Sequence, residues 1–286
     1  MKKTFLIALA ATALAAPAYA DHHGMSKAEH DKMHKEHSER LAKILADPAR
    51  GADAKRDQYR HPAETFEFFR LHPDHVIGEY APGGAWVSRI LGRYVNEKGK
   101  YTGLYFGTKS HFSDQQKAGI AANIAKFPAD VAAVSGRPAT DFNAFSLSEI
   151  PDGAKGSFDR IIVMRMLHNM MNWNIADSEI KAMRDLLKDD GLLGIEQHRA
   201  KADAPFSYTN GTKGYMREAD IIKFMEVNGF ELVAKSEINA NPKDSANWPD
   251  GVWTLPPALR LKDVDRAKYE AIGETDRMTL LFKKRP

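Results

Sequence analysis

The stretch VIGEYAPGGAWVSRIL, residues 76–91, decides the fold. An apolar run from Val76 leads to Glu79, a Pro-Gly-Gly turn follows at residues 82–84, and apolar residues then recur at helical spacing from Trp86. That order predicts a strand, a glycine turn and a helix. Glycine allows a tight turn, and it also allows a backbone to approach a nucleotide-like ligand closely. The stretch by itself favours neither use over the other.

The rest of the chain alternates between strand-like and helix-like patterns. This alternation predicts an α/β fold of the Rossmann-like, doubly wound type, with a mostly parallel sheet and helices on both faces. Ligands bind at the carboxyl ends of the strands in such sheets, and the glycine turn falls at one of those ends. Asp177 is expected to cap one helix and Gly229 to end another. The predicted strands span residues 76–79, 100–106, 160–165, 192–197, 230–237 and 278–283, and the predicted helices span residues 85–94, 114–126, 178–188 and 218–228.

Residues 1–20 have the features of a secretory signal peptide. Two lysines precede a short apolar run that closes on Ala-Tyr-Ala, which predicts cleavage before Asp21 and a periplasmic protein. Residues 21–60 are polar and rich in histidine, and we interpret them as a leader and a solvated helix. Residues 61–286 would then form the α/β domain. Within it, residues 239–275 are rich in asparagine, proline and tryptophan, which is typical of an ordered, lid-like insertion.

The composition excludes several classes of protein. The chain has no cysteine, so neither disulfides nor thiolate metal sites can form. Of its 41 basic residues two lie in the signal peptide, so 39 face 38 acidic residues, which is not the basic excess of a nucleic-acid-binding protein. No later segment approaches the roughly 20 apolar residues that a membrane span requires. The sequence does not indicate an oligomeric state.

Two histidines follow neighbouring predicted strands. His168 and Asn169 come after the strand that ends at Arg165, and His198 comes at the end of the next strand. Because these strand ends lie at one edge of the sheet, the two histidines could share an acid–base task or bind a metal. No third metal ligand follows at a diagnostic spacing. A lone histidine such as His168 more often satisfies a backbone carbonyl in a partly buried turn, and that interpretation stays open.

The leader raises a separate metal hypothesis. Ser26 and Glu29 fit a capping box that would begin a helix. On that helix His30, His34 and His37 share one face at positions i, i+4 and i+7, a spacing that suits Zn or Cu. A solvated polar tail is the simpler interpretation of the same residues.

In six segments the chain resembles the class I S-adenosylmethionine-dependent methyltransferases, and more closely a bacterial group of exported, predicted methyltransferases. The resemblance implies a seven-stranded sheet whose last strand is antiparallel, and S-adenosylmethionine as the cofactor. It covers roughly residues 60–284. The segments are GEYAPGGAWVSRIL, FDRIIVMRMLHNMMNW, LLKDDGLLGIEQHRA, AKSEINANPKD, GVWTLPP and IGETDRMTL.

The resemblance also assigns roles to residues. It places Gly83 and Gly84 under the methionine and ribose part of the cofactor, with Glu79 facing the cofactor's ammonium end. His168 or His198 would serve as the base, and Asn169 would face the acceptor with them. The remaining cofactor residues implied by the resemblance are Trp86, Tyr105, Phe106, Ser146 and Arg165.

Three positions depart from the family pattern. Ala81 stands where the first glycine of the turn is usual. Tyr105 stands where an acid usually holds the ribose diol, and Ser146 stands near the place of an acid beside the adenine. Without those carboxylates the cofactor loses charge-assisted hydrogen bonds that contribute roughly 1.5 to 3 kcal/mol each.

The resemblance implies a periplasmic methyltransferase that acts on a small molecule or an envelope component, under a lid formed by residues 239–257. An alternative is a binding protein that kept the fold without the chemistry and holds another small ligand or a metal. A third hypothesis is a periplasmic metal carrier that uses its histidine-rich leader.

Overall fold

The centre of the molecule is one seven-stranded sheet in a computed structural model that describes residues 26–108 and 112–286. The predicted signal peptide and its cleavage site lie outside the described residues. The strands are β1 (Val76–Tyr80), β2 (Lys100–Tyr105), β3 (Phe142–Ser146), β4 (Phe158–Met164), β5 (Leu187–His198), β6 (Phe230–Ser236) and β7 (Arg277–Lys284).

The sheet has the order β3-β2-β1-β4-β5-β7-β6. Neighbouring strands from β3 to β5 pair in parallel, whereas β7 runs antiparallel to both β5 and β6. The predicted fold class, a mostly parallel Rossmann-like sheet with an antiparallel last strand, is confirmed. The carboxyl ends of β1 to β5 meet at one edge, and the amino end of β7 lies at the same edge because Arg277 pairs with His198.

Helices join the strands, and a run of helices precedes β1. The long helix after β2 begins as predicted but continues through Pro128 to Ser135. The α-helices are α1 (Lys27–Leu45), α2 (Asp57–Arg60), α3 (Pro62–Phe68), α4 (Trp86–Tyr94), α5 (Asp114–Ser135), α6 (Leu167–Asn172), α7 (Ala176–Leu186), α8 (Phe206–Thr209), α9 (Glu218–Val227) and α10 (Arg266–Ile272); 3-10 helices span Pro48–Arg56, Ala139–Asp141 and Gly251–Thr254.

Most predicted helix ends agree with the structure. Ser26 and Glu29 form the expected capping box of α1, and Gly229 adopts a positive φ just after α9. The prediction for Asp177 was wrong, because α7 begins at Ala176, two residues before the predicted start, and Ile175 occupies the cap position. Asp177 instead lies in the first turn, where its carboxylate suits the positive end of the helix dipole and bonds to Lys181 at 2.8 Å.

The N-terminal helices share the core of the sheet. Leu41 and Ile44 of α1 and Phe66 of α3 are buried in the main hydrophobic cluster. Phe69, directly after α3, lies against the backbone of Gly194 in β5, where an added Cβ would come within 2.6 Å of the ring. The polar segment before β1 is therefore continuous in packing with the α/β domain. Within the described part of the chain, no helix combines the length and the apolar character that crossing a membrane requires.

Candidate active site

The glycine turn after β1 is open. Gly83 and Gly84 are exposed and do not adopt a positive φ. A Cβ added at Gly84 would have no atom within 4 Å, and one added at Gly83 would meet only the Ala81 carbonyl oxygen at 3.8 Å. Neither backbone conformation nor packing therefore requires glycine at these two positions. The arrangement favours the interpretation in which the turn leaves space for a ligand.

Positive φ angles occur instead at the two alanines that frame the turn. Ala81 has a φ of 47° and Ala85 a φ of 55°. The left-handed region costs an alanine roughly 1 to 2 kcal/mol, which explains why glycine suits such positions. At position 81 the chain therefore has alanine, instead of the family's usual glycine, in a strained backbone conformation.

Glu79 is buried and bonded to hydroxyls of the core. It lies in β1 and is only 4% exposed, and its Oε2 accepts hydrogen bonds from the hydroxyls of Ser88 (2.9 Å) and Tyr101. Burial raises the pKa of the Glu79 carboxyl to about 7, although the two hydroxyl donors offset part of the rise. This carboxylate is engaged by the core, and its role toward a cofactor stays a prediction.

The predicted cofactor residues at the next strand ends are also largely occupied. Tyr105 ends β2 and Ser146 ends β3, and each is 6% exposed. The Ser146 hydroxyl donates to the carbonyl oxygen of Phe106 at 3.2 Å. The Phe106 ring is half-buried and packs against Trp173, with ring centroids 4.9 Å apart.

A carboxylate that the sequence did not single out reaches the end of β2. Oε1 of Glu179, in α7, accepts a hydrogen bond from the backbone N–H of Gly107 at 3.1 Å. Glu179 is 2% exposed. An acid therefore does lie beside the end of β2, but it comes from a distant helix and holds the loop backbone.

Trp86, the first residue of α4, is directed toward the N-terminal segment. Its indole N–H donates to the carbonyl oxygen of Asp53 at 3.1 Å, and the guanidinium carbon of Arg60 lies 5.0 Å from its ring centroid. Trp86 thus connects the glycine turn to Arg60 rather than forming an open wall of the turn.

A cavity of about 370 Å³ lies at the carboxyl ends of β4 and β5. Arg165, His168, Asn169 and His198, which the sequence analysis had assigned to two different roles, line it together. Residues 252–253 and 256–258, from the connection between β6 and β7, form its apolar wall. We call it the arginine cavity because Arg60, Arg165 and Arg277 also line it. Gly83, Gly84, Tyr105, Phe106 and Ser146 are not among its lining residues.

The two histidines of the arginine cavity are close together, with ring centroids 5.7 Å apart. Nδ1 of His168 lies 3.2 Å from Nε2 of Gln197, and Nδ1 of His198 lies 2.6 Å from the Thr275 hydroxyl. Burial lowers the pKa of His168 to about 4, and burial together with His168 and the nearby arginines holds the pKa of His198 well below its usual range. Both imidazoles are therefore neutral at pH 7.

Beneath the histidines lies a buried network of arginines and glutamates. Glu274 binds Arg60 at 2.8 Å and Arg277 at 2.7 Å. Glu196 binds Arg165 at 2.7 Å and Arg277 at 2.8 Å. Burial alone would raise the pKa values of both glutamates, but the arginines hold the pKa of Glu274 at about 2 and that of Glu196 below its usual range.

Sequence reasoning missed Arg60, Glu274 and Arg277. Arg60 lies two residues before Pro62, in a segment interpreted as a leader, and no local pattern connects it to Glu274 more than 200 positions away. The available signal was the segment IGETDRMTL, which was noted for its resemblance and contains Glu274 and Arg277. An acid and a base three residues apart at the start of a buried strand could have indicated a site.

The leader histidines are separated from this edge. His30 is exposed, Nε2 of His34 lies 3.5 Å from Oε1 of Glu67, and the ring centroid of His37 lies 4.9 Å from that of His72. In the described part of the chain, one group of possible metal ligands has all its ligand atoms within 4.8 Å, and it consists of His72, Asp74 and His75. None of the three predicted ligands belongs to that group.

Comparison with known proteins identifies the fold. Neither a protein-family model nor a curated protein matches the chain. Among solved structures, a SAM-dependent methyltransferase from Aquifex aeolicus is 13% identical and has a TM-score of 0.48, with 85% of this chain and 97% of that one covered. The [4+2]-cyclase SpnF is 19% identical with a TM-score of 0.50 and 79% and 81% coverage. MccD protein is 8% identical with a TM-score of 0.52 and 79% and 96% coverage. The likeness to SpnF and MccD protein agrees with the Rossmann-like fold of the chain, and at these identities it concerns the fold alone.

The site residues fit S-adenosylmethionine in part. The open backbone at Gly83 and Gly84 has the space that a close ligand needs. The strand ends that would hold the adenosine carry Tyr105 and Ser146 instead of carboxylates, and Glu79 is engaged by Ser88 and Tyr101. The turn therefore suits the methionine end of the cofactor better than the neighbouring strand ends suit its adenosine end.

Proposed function

We propose that the chain is an exported S-adenosylmethionine-dependent methyltransferase whose acceptor is a small molecule or an envelope component. The observation that carries the proposal is the position of the arginine cavity at the carboxyl end of β4, the strand next to β1 and its open glycine turn. Ligands of Rossmann-like sheets bind along this edge. A donor at the turn and an acceptor in the cavity would thus be neighbours.

When bound, S-adenosylmethionine supplies a methyl group on a sulfonium, and the backbone of Gly83 and Gly84 would hold its methionine end. The work of the chain is then mainly to position donor and acceptor. Residues 239–257 would act as the lid, because Trp253 and Pro256 form part of the apolar lining of the cavity.

His168 and His198 would orient the acceptor. Both imidazoles are neutral, so each ring donates one hydrogen bond and accepts another. The contacts of Nδ1 with Gln197 and Thr275 set the tautomer, which decides whether Nε2 donates to the acceptor molecule or accepts from it. A base whose pKa is about 4 holds a proton poorly at pH 7, so His168 suits orientation better than full proton removal. Asn169 lines the same cavity and offers an amide for the same purpose.

Calorimetric titration of the purified protein with S-adenosylmethionine and S-adenosylhomocysteine tests the proposal. We expect micromolar binding, about −8 kcal/mol, that Gly83→Trp abolishes by filling the turn. Gly119→Trp is the matched control, because Gly119 is exposed on α5 and an added Cβ there meets nothing within 4 Å. No binding at millimolar ligand, or equal loss in both variants, would contradict the proposal.

A binding protein for another small ligand is the second candidate. The sequestered Glu79 and the absence of an acid at Tyr105 and Ser146 favour it, because they remove groups that would hold the adenosylmethionine ribose and ammonium. The similarity to a solved protein described as a [4+2]-cyclase also shows that this fold serves other chemistry. Retained binding in the arginine cavity without binding of S-adenosylmethionine would support this candidate.

A further inference from the structure

The lining of the arginine cavity has parts that differ in chemistry. Part of the lining is cationic and consists of Arg60, Arg165 and Arg277. Another part is apolar and consists of Val252, Trp253 and residues 256–258. A volume of about 370 Å³ accommodates a small organic molecule rather than a water cluster alone. The two parts together suit a ligand with a charged end and an apolar body.

The charges of the cavity do not balance. Arg56 also binds Glu274, so four arginines belong to the described network. They face the carboxylates Glu196 and Glu274, and the charge of Glu79 acts on Arg165 as a third. The two histidines are neutral and add no charge. One buried positive charge is therefore left over, and a buried charge is costly unless an opposite charge compensates it.

Two of the arginines also have donors to spare. Arg60 is 4% exposed and bonds to Glu274 only through Nε, so its two Nη groups have no acceptor among the described residues. Arg165 bonds to Glu196 only through Nη1. Arg277 differs, since its groups contact Glu196, Glu274 and the carbonyl oxygen of Tyr59. Arg277 thus supports the network, while Arg60 and Arg165 can bind a ligand.

We propose that the arginine cavity binds a small acceptor with a carboxylate or phosphate group, which Arg60 and Arg165 hold while Trp253 packs on the apolar body of the molecule. Guanidinium groups bind such oxyanions through paired N–H donors, which fixes orientation as well as charge. The role of this molecule as a methyl acceptor rests on the proposed function, but the anion site itself does not depend on it. The acceptor atom would then lie near the imidazoles of His168 and His198.

Calorimetry with three probes of similar size tests the anion site. Benzoate and phenyl phosphate carry the two candidate oxyanions, and benzamide resembles benzoate without the charge. We expect at least one anion to bind the wild-type protein about tenfold or more tightly than benzamide, because only the anion uses the free guanidinium donors. The tighter of the two anions identifies the acceptor group. Equal affinity for all three probes, or no binding of either anion, would overturn the proposal.

Variants locate the binding in the cavity. Arg165→Met and Arg60→Met should each reduce anion affinity about tenfold or more while leaving benzamide binding unchanged. Arg165 is 17% exposed in its side chain and serves as the main variant, since Arg60 is more deeply buried and its loss could unfold the protein. Arg93→Met is the control, because Arg93 pairs with Asp47 on the surface outside the cavity. Equal loss of affinity in the control would also contradict the proposal.

The same samples separate this proposal from the proposed function. A protein that binds S-adenosylmethionine but no anion keeps the methyltransferase hypothesis and loses the anion site. A protein that binds an anion through Arg165 but no S-adenosylmethionine keeps the anion site and loses methyl transfer.

Discussion

Two alanines in left-handed backbone conformations frame the open turn that follows β1. Glycine at either position would relieve strain, yet it would also make the unfolded chain more flexible. The balance can be measured at Ala85, which is not part of the hydrophobic cluster, whereas Ala81 packs against it.

Ala85→Gly should leave the free energy of unfolding unchanged or raise it by up to about 1 kcal/mol, because relief of the left-handed strain outweighs the added flexibility of the unfolded chain. Urea denaturation measures the change. The control is Ala121→Gly on the exposed side of α5, which should lose about 1 kcal/mol. Equal losses in both variants would show that Ala85 is not strained.

The buried carboxyl of Glu79 gives the stability a recognisable pH dependence. Its folded pKa is about 7, above the ordinary value of 4.5, so the folded state holds the proton more tightly than the unfolded state. Ionisation of Glu79 therefore destabilises the fold progressively as the pH rises between these two values.

Glutamine cannot ionise, so the Glu79→Gln variant lacks this loss of stability. The unfolding free energy of the variant minus that of the wild type should rise by about 3 kcal/mol from about pH 5 to about pH 8. Denaturation of both proteins at each pH measures this difference, which cancels the opposing contributions of His168 and other groups that titrate in both. A constant difference across this range would mean that the Glu79 pKa is not raised.

Single residues were only partly predictable from the sequence. The sequence placed Arg165, His168, Asn169 and His198 at one edge of the sheet, because each lies at or after the end of a recognisable strand, and all four line the arginine cavity. Their roles stay predictions. It could not identify Arg60, since that residue reaches the cavity only through the packing of the N-terminal helices on the sheet. The sequence also could not predict the hydrogen bonds of Glu79, because Tyr101 of β2 and Ser88 of α4 supply the hydroxyl donors.

At the level of elements, the contact between α3 and β5 ties the N-terminal helices to the sheet. The Phe69 ring occupies the space that a side chain at Gly194 would need. Gly194→Ala should therefore destabilise the protein by about 1 to 3 kcal/mol through overpacking.

Gly119→Ala on α5 provides the control for this effect, since an added methyl group there meets nothing within 4 Å and removes the helix penalty of glycine. It should raise the unfolding free energy by about 0.5 to 1 kcal/mol. Thermal or urea denaturation of both variants would reveal opposite signs. A stable Gly194→Ala variant would mean that the N-terminal helices do not pack closely on β5.

Helices and strands were predicted well where the apolar residues followed one clear period. They were predicted poorly where tertiary contacts set the bounds of the element. Six strands were located from their apolar runs, but β3 was missed, because it is a short edge strand whose middle residues are exposed or half-buried. The predicted end of α5 before Pro128 was wrong because the alanine-rich residues after the proline continue the helix.

Across the whole molecule, the buried ion network connects the segment before β1 with β5 and β7. Glu274 is the link, since it binds Arg56 and Arg60 from the N-terminal segment and Arg277 from β7. Removing one partner of a buried ion pair leaves the others uncompensated.

Glu274→Gln should therefore lower the unfolding free energy by about 3 to 5 kcal/mol at neutral pH. Because the folded pKa of Glu274 is about 2, below the ordinary 4.5, this contribution is complete above 4.5 and fades as the pH falls through about 2. Denaturation of variant and wild type from neutral to acidic pH measures the difference between their unfolding free energies, which should decrease as the pH falls. A difference that stays constant would contradict the assigned pKa.

The place of β7 in the sheet has a consequence for the order in which the protein can fold. Among the described strands β6 pairs with β7 alone, and β7 follows it in the chain by some forty residues. Within that sheet β6 therefore has no partner until residues 277–284 have been synthesised. Domains fold as the chain emerges from the ribosome when their contacts are local. Here one side of the sheet must wait for the last strand. The sheet is therefore complete only after nearly all of the described chain has been synthesised.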